Sequence, residues 1–117
     1  MSLVNNYYTY LEEEKIQLEK TISELISEDR RDEANHKKIE KNVVDIFSRM
    51  VHVSKKQAED NQEMFYQILS GFFDSIPKNW YIQLEKCKNH GLEEEAFIEE
   101  LKIAEKDKLK MKLTEMM

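Results

Sequence analysis

Glycine and proline are nearly missing from this chain. Its 117 residues include only Gly71, Gly91 and Pro77 of these two types. A β-sandwich or an α/β sheet needs many tight turns, and turns draw on Gly, Pro, Asn and Asp. Sheet architectures are therefore excluded, and an almost wholly helical chain is expected. The two glycines stand 20 residues apart, so no glycine-rich loop exists to cradle a phosphate. Cysteine is equally scarce. Cys87 is alone, which excludes an internal disulfide and a cysteine-based zinc site and points to a reducing, cytoplasmic setting. Long apolar runs are absent too, so no membrane span is expected. The start, Met1-Ser2-Leu3-Val4-Asn5-Asn6, has neither a basic leader nor an apolar core and does not read as a signal peptide.

What is present suffices for one folded domain covering residues 1–117. Leu, Ile, Val and Phe make up 30 of the 117 residues, above the roughly 20% below which a highly charged chain stays disordered. The net charge of −6 is unevenly spread: residues 1–29 carry −5 and residues 30–56 carry +4. An acidic segment followed by a basic one suits an antiparallel helix pair with matched faces. The competing use of the basic segment is nucleic-acid binding. It is disfavoured, because phosphate binding calls for a basic domain and this one is acidic.

Apolar spacing places the helices. Val4, Tyr8, Leu11, Leu18, Ile22 and Leu25 form a heptad-like seam, widened by Tyr7, Ile16 and Ile26, and predict a first helix over about residues 3–27. A second seam, Ile39, Val43, Ile46, Met50 and Val53, flanked by Phe47 and Val51, predicts a second helix over 31–54. The two seams share one phase, which permits a single long helix. The intervening slots hold Asp29, Asp32 and His36, however, and charges buried without partners are costly. A hairpin at Ser27–Arg31 is preferred, with Asp29 as an N-cap.

After Val53 the apolar phase slips by one residue. A third helix is expected to start between 55 and 61, capped at Ser54 or Asp60, and to stop near Ser75 ahead of Pro77. A fourth is expected over 78–89, ended by Gly91 in a left-handed conformation. A fifth is expected over 93–113, with Phe97, Leu101, Ala104 and Lys108 on one row and Ile98, Ile103 and Leu109 beside it, before a frayed tail from Thr114. The expected fold is all-α: an elongated bundle of about five helices with a long antiparallel hairpin of the first two.

Chemistry-bearing patterns are sparse. Cys87 and His90 are three apart but have no evident third group to orient them. Glu33 and His36 have the spacing of half a di-iron carboxylate motif; the second pair that such a site needs is missing. No catalytic, cofactor-binding or metal residue is assigned. The densest aromatic stretch includes Phe72, Phe73, Trp80 and Tyr81. As an exposed patch it would bind a partner; as a helix stripe it would be core, and the sequence leaves both readings open. The expectation is a small, soluble, cytoplasmic, non-enzymatic helical protein that acts through protein–protein contacts with an unidentified partner. Neither a membrane nor a small-molecule ligand is expected. The alternative is a helical regulator that binds nucleic acid through residues 30–56. A homodimer is expected, because helices of some 25 residues would outrun so small a globule (radius of gyration ~13 Å by chain-length scaling) unless a second copy covered their seam.

Overall fold

The computed structural model describes residues 2–117. It contains five helices and, among the described residues, no strand: α1 (Ser2–Ser27), α2 (Arg31–Ala58), α3 (Gln62–Ser75), α4 (Lys78–Asn89) and α5 (Glu93–Met116). The chain is an elongated slab of 45 × 36 × 21 Å with a radius of gyration of 15.6 Å.

The α1–α2 hairpin is present, with its turn at Glu28–Arg30. Asp29 is not the N-cap of α2. It is the left-handed residue (φ 60°) that ends α1. Arg30 N–H donates to the Leu25 carbonyl at 2.8 Å and Asp29 N–H to Ile26 at 3.0 Å, the paired bonds of a Schellman stop. Asp tolerates this conformation better than most side chains, which is why the stop works without glycine. Gly91 (φ 67°) plays the same part after α4, where Leu92 N–H reaches the Cys87 carbonyl at 2.9 Å.

Between α2 and α3 the expected boundary moves. α2 runs through Ser54 to Ala58, and the cap of α3 is Asn61, whose side chain accepts from Met64 N–H at 2.9 Å. Ser54 is buried inside α2, so it caps nothing. The phase slip is absorbed by a four-residue turn in which Asn61 N–H donates to the Ala58 carbonyl and Glu59 takes φ 55°, ψ −119°. At the other break, Pro77 opens α4, and its carbonyl accepts from Trp80 and Tyr81 N–H. The C-terminal tail does not fray: α5 continues to Met116, because Leu113 is fully buried and Met116 packs on the core.

α2 is the central helix. α1, α3 and α5 all pack on it, and α4 lies along α5. This wrapping rotates the buried faces away from the expected seams. On α2 the core residues are Val43, Val44, Phe47, Val51 and Ala58, while Ile39, Ile46, Met50 and Val53 are half-buried. A helix covered from several sides is most buried along the line between its neighbours, not along the stripe facing one of them. On α1, Tyr7 joins the core and Ile16 and Ile26 are exposed. On α5 the expected row holds only in part: Phe97, Ala104 and Lys108 are exposed and Leu101 is half-buried, while Leu109 beside it is fully buried along with Ala96, Glu105, Lys106 and Leu113. α5 touches α4 on one side and α1 and α2 on the other, so no single stripe describes it. Its C-terminal half covers the α1–α2 seam within one chain.

Candidate functional site

The four aromatic residues singled out in the sequence do not form one surface patch. Phe73 is buried and stacks on Phe47 of α2, ring centroids 4.1 Å apart and planes within 8°. Trp80 is buried at 9% exposure, and Phe72 is half-buried. Tyr81 alone is open, at 47%. Its hydroxyl accepts from Lys106 Nζ at 2.9 Å, and the ammonium lies 5.1 Å from the ring centroid, pinning α4 to α5.

The basic segment has much of its charge answered within the chain. Arg30 pairs with Glu28 and Glu33, Arg31 with Asp29, Lys37 with Glu40 and Lys41 with Glu19. The last of these joins basic α2 to acidic α1. Lys15 and Asp45, 3.5 Å apart, join the same helices with the charges reversed.

Glu33 and His36 do not converge. Glu33 turns to Arg30, while the His36 ring meets the Phe97 ring edge-on at 5.0 Å between centroids. Among the described residues no group of three His, Cys, Asp or Glu side chains is placed to hold a metal ion. Cys87 is half-buried and lines a small cleft with Leu92 and Ala96.

Two clefts between α5 and the α1–α2 hairpin have the form of sites. The first is a groove of about 360 Å³ between the N-terminal halves of α2 and α5. These helices run in the same direction, as the His36–Phe97 and Glu40–Glu105 neighbours show. Ile39, Ile98 and the 43%-exposed Phe97 supply its apolar lining, and Asp32 and Glu94 its acidic rim. Phe97 is among the largest apolar side chains left open to solvent.

The second is a cleft of about 330 Å³ where α1, α2 and α5 meet, lined by Glu14, Lys37, Glu40, Glu105 and Lys108 among others. Lys108 Nζ donates to Glu14, and Lys37 lies 3.1 Å from Glu40. Glu105 has no cation of its own; it is 5% exposed, and its Oε2 is buried without a hydrogen-bond partner. The hydroxyl of Thr21, also in the cleft, is spent on the Gln17 carbonyl at 3.0 Å. The chemistry open to this cleft is to hold and release a proton at Glu105.

The sequence reading missed Glu105. One signal was available: Leu101, Glu105, Leu109 and Leu113 are spaced by four, which puts the glutamate on the ridge of three leucines.

Among the described residues, no helix is long and apolar enough to cross a membrane. No family model matches the chain, and neither the curated proteins nor the solved structures contain a match to it.

Proposed function

We propose that this chain is a non-enzymatic protein-contact module of a reducing, cytoplasmic compartment, and that its contact surface is the α2/α5 groove around Phe97. The carrying observation is the half-exposed Phe97, which stands against His36 with Ile39 and Ile98 beside it, at the mouth of a groove between two parallel helices. A groove of this kind suits the apolar ridge of an amphipathic helix, and contact energy concentrates on such aromatic anchors. Asp32 and Glu94 on the rim, with Glu93 and Glu95 adjacent in sequence, select a helix whose flanks carry Lys or Arg. The occupant is therefore a basic amphipathic helix of another protein.

The test compares the native chain with Phe97→Ser and with Met111→Ser, which removes an exposed side chain four turns along α5. Each is used to capture partners from a native extract, with an untagged control and identification by mass spectrometry. The captured partner is then purified and titrated. The reading expects binding that is lost with Phe97→Ser, kept with Met111→Ser and weakened by salt. Equal binding by all three chains would remove the groove from consideration. Light scattering coupled to size exclusion runs alongside. A mass of two chains that reverts to one in Phe97→Ser would assign the groove to a second copy.

A further inference from the structure

Glu105 is the cleft's unmatched acid. The groups that face it are Glu14 and Tyr10 on α1, Glu40 and Lys37 on α2, and Lys108 one turn along its own helix. Lys108 is bonded to Glu14, and Lys37 to Glu40. Each acid of the cleft except Glu105 therefore has a bonded cation, and an ionised Glu105 would add a third, buried negative charge to a cleft whose two cations are already paired. A proton on Glu105 removes that charge and turns the carboxyl into a donor. Glu14 lines the same cleft, favours the protonated form of Glu105 and is held in place by Lys108, which makes it the acceptor for that proton.

We propose that Glu105 and Glu14 form a proton-operated latch, in which one shared proton holds the middle of α5 against α1 and its loss opens the α1/α2/α5 cleft. The latch sits where α5 crosses the hairpin, between the exposed Phe97 end and the buried Leu109–Leu113 end. Opening it would loosen the middle of α5 while its C-terminal turns stay anchored in the core.

The working range follows from burial. Removal from water is the main cause that raises the Glu105 carboxyl to about 7 from its ordinary 4.5; Lys108 opposes the rise, and Glu14 and Glu40 add to it. The folded chain thus keeps a proton that the unfolded or opened chain releases. The contribution of the Glu105 proton to closure is fully present below that ordinary value. It weakens as pH rises toward 7, and the loss is complete above 7.

The experiment uses the full chain and two readouts. Carbon-13 carboxyl shifts follow the Glu105 titration directly, and hydrogen exchange, corrected for the intrinsic rate, follows the α5 amides from Leu101 to Leu109. The Glu105 resonance is expected to titrate near neutrality. Opening of this α5 stretch is expected to grow by up to about tenfold per pH unit across the window, the limit for one linked proton. Glu105→Gln, neutral at every pH, is expected to abolish that dependence. A Glu105 titration at the ordinary carboxylate value, pH-independent α5 protection, or the same dependence in Glu105→Gln would each overturn the latch. The carboxyl titration needs no variant, so a poorly folded Glu105→Gln would leave the proposal testable.

Discussion

The Tyr7 hydroxyl donates a buried 2.8 Å hydrogen bond to the Leu109 carbonyl, joining the first turns of α1 to the last third of α5 across 102 residues of sequence. Burial raises the Tyr7 phenol well above its ordinary range, so it remains a neutral donor. The Leu109 carbonyl sits inside a continuous helix and keeps its helical partner if the tyrosine is changed. Tyr7→Phe should therefore cost only about 1 kcal/mol, the net worth of one hydrogen bond. Tyr7→Ala removes a fully buried ring and should cost about 3–5 kcal/mol. Urea unfolding of both variants checks the difference; equal losses would mean that the bond, not the ring, holds the two helices.

Phe47 and Ile46 are sequence neighbours with different fates. Phe47 is fully buried against Phe73, while Ile46 is half-buried and borders an open groove between α1 and α2 that also contains Tyr8 and His52. Phe47→Ala should cost about 3–5 kcal/mol. Ile46→Asp, which the seam reading would make disruptive, should be tolerated far better than Phe47→Asp, because its carboxylate can reach water. Thermal melts of the two aspartate variants decide the point, and equal destabilisation would return Ile46 to the core.

Glu59 holds φ 55°, ψ −119° at the first central position of the turn closed by Asn61 and Ala58. That position belongs to glycine in type II′ geometry, and a side chain there clashes with its own backbone. The Glu59 side chain is exposed and pairs with nothing in the described structure. Glu59→Gly should raise stability by about 1 kcal/mol, the left-handed penalty less the added freedom of the unfolded chain. A lower melting temperature in this variant would mean the turn is unstrained.

Metal removal should leave the protein unchanged. Glu33 is engaged by Arg30, and His36 is engaged by Phe97. Treatment with EDTA is expected to leave the melting temperature as it was, with no stoichiometric iron, zinc or manganese in purified protein by elemental mass spectrometry. A chelator-dependent loss of stability would restore the Glu33/His36 pair as a ligand set.

The sequence by itself determined the number of helices and where most of them break, though not the caps of α2 and α3 or the extension of α2 to Ala58. The shortage of Gly and Pro excluded sheets, Pro77 and Gly91 bracketed α4 at Lys78–Asn89, and charge in the seam slots at Asp29 and Asp32 broke the first two helices apart. Each of these is a local effect, decided within a turn or two of the residue concerned. What only the tertiary structure decided is which face each helix buries. That depends on how many neighbours a helix has, and α2 has three. Burial shifted from Ile46 and Met50 to Val44 and Phe47, and the Phe72–Tyr81 aromatics were divided between core and surface. Glu105 shows the difference most sharply. In sequence it is one acid among eight in the last 25 residues; in the fold, α1 and α2 close over it, remove its water, and make it the one acid of the cleft without a bonded cation.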